Sequence, residues 1–287
     1  MADKKIDDIS GVETTGHEWD GIQELNNPLP RWWVWTFYAT IVWAIGYTIL
    51  YPAWPLLSEN TKGVLGYTNR AALTEEMTAA TAAQAVFVQK IAAMPLDGIL
   101  ADPELTQFAT AGGAAAFKVN CSPCHGSGAA GGPGYPNLND DDWLWGGDVE
   151  AINQTIAHGI RYEADDETRF SEMPAFADIL EPEQIREVAA YVWSLTNTPS
   201  DPALVEPGKV VFAENCAACH GDDAKGDRDL GAPNLADAIW LKVNSEAQLA
   251  AQVARPKHGV MPAWQARLGE TTVKEFSIYV HSLGGGE

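Results

Sequence analysis

One pattern constrains the fold of this chain more than any other, because it occurs twice. "GAAAFKVNCSPCHG" (residues 113–126) and "GKVVFAENCAACHG" (residues 208–221) share the frame G-x-x-x-F-x-x-N-C-x-x-C-H-G. Downstream, "PNLNDDDWL" from Pro136 and "PNLADAIWL" from Pro233 share P-N-L-x-D-x-x-W-L. "MPAF" from Met173 is matched by "MPAW" from Met261, and "YVWSL" from Tyr191 by "YVHSL" from Tyr279. Four motifs in one order, with the same Met-to-Tyr spacing, imply two copies of one domain. A chain of 287 residues has room for two domains of about 100 residues and additional elements.

Each copy reads as helical at both ends. The terminal segments 181–195 and 268–283 are helical patterns; the first has Pro182 in its opening turn and Ile185, Val188, Ala189, Val192 and Leu195 on one face. Between them lie Gly- and Pro-rich loops such as "GSGAAGGPGYP". Gly113 and Gly208, each four residues before Phe117 and Phe212, suit a close crossing of the first and last helices, with each Phe meeting the terminal Tyr or Trp. "TPSDP" (residues 198–202) marks the boundary between copies.

If the segment after Asn120 forms one helical turn, Cys121 and Cys124 face the same side and His125 follows at once. Two thiols then bond the two vinyl groups of a haem while the imidazole takes its iron, so C-x-x-C-H reads as c-type haem attachment. The same holds for Cys216, Cys219 and His220. These are the only four cysteines, and the two pairs lie too far apart in sequence, in separate repeats, to share a zinc ion. A thioredoxin-like pair expects a βαβ setting and no obligatory His. The iron's other face needs a ligand, and Met173 and Met261 are the methionines that follow each motif in its own repeat. His/Met ligation closes the site to substrate and suits electron transfer. His158 and His258, both in H-G-[IV], are the alternative distal ligands. Arg161, Arg255 and Lys257 are candidates for neutralising haem propionates.

From Trp32 to Tyr51, "WWVWTFYATIVWAIGYTILY" carries no charge over 20 residues; as a helix it spans about 30 Å, the thickness of a bilayer core. Trp32, Trp33 and Trp35 crowd one end and Tyr47, Tyr51 and Trp54 the other, as in an aromatic belt. Pro52 and Pro55 stop the helix. A polar, mostly acidic stretch precedes the run, which therefore reads as an uncleaved anchor. Lys4, Lys5 and Arg31 on one side and Lys62 and Arg70 on the other leave its orientation open. Haem attachment outside the cytoplasm settles it: the N-terminal segment is inside, and the haem domains face the periplasm of a bacterial inner membrane. Residues 73–94, with Leu73, Met77, Ala80, Phe87, Ile91 and Met94 at helical spacing, form an amphipathic helix that Pro95 ends.

The expected fold is mainly α: a cytoplasmic segment (1–30), a transmembrane helix (31–54), a linker with the amphipathic helix (55–103), and two tandem class I cytochrome c-like domains (104–197 and 198–287). The net charge of −21 argues against nucleic acid, which requires a basic surface. Residues 101–287 carry 12 basic and 28 acidic side chains, so a basic protein is the expected docking partner.

Two haem domains behind one anchor resemble the dihaem P subunit (subunit III) of cbb3-type cytochrome c oxidases. "GHEWDGIQELNNPLPRWW" (residues 16–33) is similar to that family's H-x-W-D-G-I-x-E-x-x-N-P-L-P-x-W-W signature. The resemblance implies two covalent haem c groups and no catalytic site of the chain's own. It also implies partners: a cytochrome c donor, a monohaem subunit and the haem–copper subunit that reduces oxygen and pumps protons. A dihaem carrier for another periplasmic oxidoreductase shares the haem features without the N-terminal signature. A haem-based sensor would need an open or labile iron position. Trp19, Pro28, Pro30 and Trp32 suggest that the pre-membrane segment is ordered and extended.

Overall fold

The computed structural model describes residues 5–286, so Lys4 and the residues before it lie outside the description. The chain forms two compact units divided after Ala83. In the first, strands β1 (Thr14–Trp19) and β2 (Ile22–Leu25) pair antiparallel with Trp19 opposite Ile22. Asp20 and Gly21 connect them with φ of 49° and 86°, the left-handed pair that an Asp-Gly hairpin turn requires. The segment expected to be extended is thus a hairpin, and the D-G within "EWDGIQ" is the sequence signal that could have placed its turn.

Helix α1 (Arg31–Leu50) follows Pro30, and none of its 20 residues is buried. Among the described residues it is the helix long and apolar enough to cross a membrane. It ends before Pro52, and the carbonyls of Ile49 and Leu50 accept from the Val64 and Leu65 amides at 2.9 and 3.1 Å. Carbonyls that no further turn can satisfy are paired by the returning loop.

Helix α2 (Asn69–Ala93) covers the expected amphipathic segment, but only the end of its stripe is packed. Leu73 and Met77 are exposed, whereas Ile91 is fully buried and Phe87 stacks on Phe108 with centroids 4.8 Å apart. Nor is residues 55–103 all linker: α3 (Leu96–Ala101) buries Leu96 and Ile99 against Leu105, Ala109, Val149 and Ile278.

The remaining helices are α4 (Pro103–Asn120), α5 (Ser122–His125), α6 (Val149–His158), α7 (Pro182–Ser194), α8 (Val205–Asn215), α9 (Ala217–His220), α10 (Glu246–Ala254), α11 (Gln265–Leu268) and α12 (Glu270–His281). Their starts are written locally. The Asp102 carboxylate accepts from the Glu104 and Leu105 amides and Pro103 opens α4, while Glu181 and Gln184 form a capping box with Pro182 at the start of α7.

The helix crossing expected within each repeat is present, but it is exchanged between repeats. α4 packs along α12, and α8 along α7. A side chain on Gly113 would collide with the Glu275 carbonyl and come within 2.6 Å of Tyr279 Cβ. One on Gly208 would collide with the Glu187 carbonyl and come within 2.9 Å of Tyr191 Cβ. Phe117 meets the Tyr279 ring at 5.4 Å and Phe212 the Tyr191 ring at 5.3 Å. One core joins Phe117, Ile152, Ile156, Val273, Phe276 and Val280, and another joins Ile185, Val188, Val192, Val211, Phe212, Leu249 and Val253. Helix packing thus interleaves the two repeats on either side of residue 198 instead of staying within each. Chain connectivity is the reason. Between α7 and α8 lies only a short connection containing the 3-10 turn Pro202–Leu204, and helices joined so closely pack as an antiparallel hairpin. Once α8 has taken α7, the equivalent α12 remains for α4.

Glu275 lies at the α4–α12 crossing, and burial pushes its carboxyl up to about 6 from 4.5. The folded chain holds a proton there that the unfolded chain has released, so this contribution to stability is fullest below pH 4.5 and is lost as pH rises through about 6. Glu275→Gln is expected to remove that part of the pH slope in thermal melts. An unaltered slope would reject the assignment.

Candidate haem centres

Both C-x-x-C-H motifs sit on the same local device. α4 ends at Asn120, whose Nδ2 donates to the Ala116 carbonyl at 2.9 Å; α8 ends at Asn215, whose Nδ2 donates to Val211 at 3.0 Å. The cysteine that follows stays in the αR region, and a single further turn brings His125 N to Cys121 O and His220 N to Cys216 O, both at 3.0 Å. Gly126 and Gly221, with φ of 78° and 77°, stop the turn. The one-turn geometry expected from the motif is present twice.

The repeated P-N-L motif has a role that spacing alone did not disclose. Pro136 O accepts from His125 Nδ1 at 3.2 Å, and Pro233 O accepts from His220 Nδ1 at 3.1 Å. A carbonyl only accepts, so Nδ1 carries the proton and Nε2 keeps its lone pair, the form that binds a metal. Burial lowers the pKa of both imidazoles, against a smaller opposing effect of those hydrogen bonds. Burial, with a contribution from the neighbouring cysteine, pushes Cys121 and Cys216 up to about 11. These thiols lack the lowered pKa of a reactive redox pair. Among the described residues no group of three or more His, Cys, Asp or Glu is arranged to hold a metal ion.

The methionines are also exchanged between repeats. Cys121, His125, Trp143, Trp145, Ile156 and Met261 line one cleft. Met261 reaches it because its backbone pairs with Ile160, N to O at 2.9 and 3.0 Å in the two directions. Met173 packs instead on the core of Phe212 and Cys216. Counting forward from each motif had associated Met173 with Cys121 and Met261 with Cys216; the packing places each with the other motif.

The histidine alternatives differ in surroundings. His158 hydrogen-bonds Asp165 through Nδ1 at 3.0 Å, and its Nε2 lies 3.1 Å from the Glu167 carboxylate. His258 is half-buried, three residues before Met261. Arg161 donates to the carbonyls of Gly259 and Ser171, and Arg255 lies 3.6 Å from Asp178 at the surface. Sequence reasoning passed over two other groups: among the described residues, Arg169 Nε and Trp240 Nε1 are buried without a partner. Trp240 borders the second core, and Arg169 lies over the Trp145 ring at 5.4 Å. Buried donors without acceptors fit a cofactor that brings carboxylates of its own.

A polar cavity of about 480 Å³ lies beside this region, lined by Asp140, Asp141, Asp142 and Asp237 with Lys225 and Arg228. Asp142 is pushed up to about 6, first by burial and then by Asp237 and Asp140. Acid outweighs base there, in keeping with the composition.

A helical frame with two attachment turns, each presenting a neutral imidazole and each approached by a methionine, defines a c-type cytochrome. Residues 11–58 match the family described as the N-terminal domain of cytochrome oxidase-cbb3, FixP. Residues 108–192 and 203–280 match cytochrome c oxidase, cbb3-type, subunit III. The chain is 66% identical over 286 residues to the cbb3-type cytochrome c oxidase subunit FixPc of Rhizobium leguminosarum bv. viciae, covering all of both chains. It is 55% identical over 276 residues to subunit CcoP of the Cereibacter sphaeroides enzyme, covering 96% of this chain and 95% of that one. The chain belongs to the family of subunit III of cbb3-type cytochrome c oxidases, and its cytochrome c domains bind haem c.

Proposed function

We propose that this chain relays electrons from a cytochrome c donor, through two haem c groups, toward the monohaem and haem–copper subunits of a cbb3-type oxidase. The observation that carries the reading is the cleft in which Cys121, His125 and Met261 meet. Cys121, Cys124, His125 and Met261 would hold one haem, and Cys216, Cys219, His220 and Met173 the other. Haem c, when bound, supplies a one-electron Fe(III)/Fe(II) couple.

The protein's own part is attachment, orientation and exclusion of water. The paired thiols anchor, and the Pro136 and Pro233 carbonyls hold each imidazole with Nε2 available. The Met261 and Met173 sulfurs would complete His/Met ligation, which raises the potential and leaves no position for a substrate. Phe117 and Phe276 on one side, and Phe212 and Val188 on the other, close the cores. Helix α1 anchors the chain, with the hairpin on the cytoplasmic side and the haem domains in the periplasm.

Membranes solubilised gently are expected to yield this chain together with an oxygen-reducing haem–copper subunit; isolation without one overturns the assignment. The acidic lining around Asp140 and Asp237 leads to a second expectation. Electron entry from a basic cytochrome c slows as salt rises, since screening lengths fall to about 8 Å at 0.15 M. A stopped-flow on-rate independent of salt would remove electrostatic docking.

A further inference from the structure

We propose that Arg161 is a shared positioning residue that holds both methionine-bearing segments, and so fixes methionine ligation at the two haem centres together. This rests on the ligand reading above. Arg161 stands three residues past the end of α6, in a left-handed conformation with φ of 52°, which an L residue adopts at a cost. Its Nε donates to the Gly259 carbonyl at 2.8 Å and its Nη1 to the Ser171 carbonyl at 2.7 Å. Gly259 lies two residues before Met261, and Ser171 two residues before Met173.

The backbone repeats the arrangement. Ile160 pairs with Met261 on one side. On the other, Arg161 N donates to Arg169 O at 2.8 Å and Arg169 N to Gly159 O at 3.2 Å. Ile160 is thus bridged on both sides, to Arg169 in the segment that leads toward Met173 and to Met261 itself. Because each methionine serves the motif of the other repeat, the two segments must pass one another, and they do so at this point. A guanidinium can grip two carbonyls at once through its rigid fork; an ammonium or an amide cannot match that geometry.

The test uses the full chain with both haems bound, as Arg161→Gln and, as a conservative second variant, Arg161→Lys. The readouts are the methionine–ferric iron charge-transfer band and carbon monoxide binding to each ferrous haem, with the two haems resolved by redox titration. In Arg161→Gln, both haems are expected to lose band intensity. Carbon monoxide access should rise at both by about tenfold, the factor that one lost charge-assisted hydrogen bond represents. Arg161→Lys should show the same two-site effect in weaker form, and carries the test if the Gln variant does not fold. A change at one haem only, or at neither, overturns the proposal. If Met173 and Met261 substitutions also leave the band untouched, the ligand reading itself has failed; if they abolish it while the Arg161 variants do not, only the shared clamp is lost.

Discussion

Replacing Met261 with His is expected to lower the potential of the haem on Cys121 and Cys124, while the haem on Cys216 and Cys219 keeps its own. His/Met coordination favours the reduced iron relative to bis-His, and axial ligands tune haem potentials over a range of about 0.8 V, so a drop on the order of 0.1 V or more is the expected scale. The exchange of methionines makes the experiment sharper than a simple loss of ligand. In a chain whose second motif is disabled by Cys216→Ala and Cys219→Ala, Met261→His should still shift the remaining haem, and Met173→His should not. The mirror chain, carrying Cys121→Ala and Cys124→Ala, should respond to Met173→His alone. The reasons are in the packing: Met261 lines the cleft of Cys121 and His125, and Met173 lies on the core around Cys216. Spectroelectrochemical titration reads the result. A response to Met173 in the chain that keeps the first motif would restore pairing within each repeat and remove the exchange.

What the sequence made legible, and what it did not, follows from the kind of information each feature carries. The one-turn C-x-x-C-H segments, the helix start at Pro182 and the apolar run of α1 are local: a few neighbouring residues determine them, and all are present. The close crossing at Gly113 and Gly208 was legible as a type of contact. Its partner was not, because the two candidates offer the same surface, Glu187 and Tyr191 on α7 and Glu275 and Tyr279 on α12. When two grooves are chemically equivalent, pairing is decided by how much chain separates them, and α7 is the helix that α8 reaches first. The methionine assignment inherited the same ambiguity.

Other features were hidden because they depend on tertiary neighbours. Pro136 and Pro233 act through backbone carbonyls, which no side-chain motif announces. His158 entered as an alternative to methionine from its H-G-I setting, and its carboxylate neighbours Asp165 and Glu167 are not announced by that motif. Arg161 donates to two carbonyls from segments far apart in sequence, a contact that no local motif announces. The Asp20–Gly21 turn, by contrast, is local turn chemistry that the expectation of an extended segment passed over.

Adjacent glycines in α4 give the other large expected effect, and it decides between helix propensity and packing. Alanine in place of glycine within a helix favours folding by roughly 0.5–1 kcal/mol through backbone entropy. At Gly112 a Cβ meets the tip of the Glu275 carboxylate, 2.9 Å from Oε2, and a flexible side-chain end can move aside. Gly112→Ala should therefore be neutral or mildly stabilising. One position further along, the Gly113 Cβ meets the Glu275 backbone carbonyl and Tyr279 Cβ, which cannot yield without parting α4 from α12. Overpacking of that kind costs typically 1–3 kcal/mol and sometimes more, so Gly113→Ala should lose about 2 kcal/mol net of the propensity gain, and Gly113→Val more. Since α12 and the Met261 segment share a core with Phe117, the loss should be accompanied by weakened methionine ligation at the haem on Cys121, with the other haem unaffected. Gly208→Ala should do the converse through α7. Chemical denaturation followed in parallel with the haem absorption of each site measures both. Equal stability of the Gly112 and Gly113 variants would show that the helices do not cross where the structure places them.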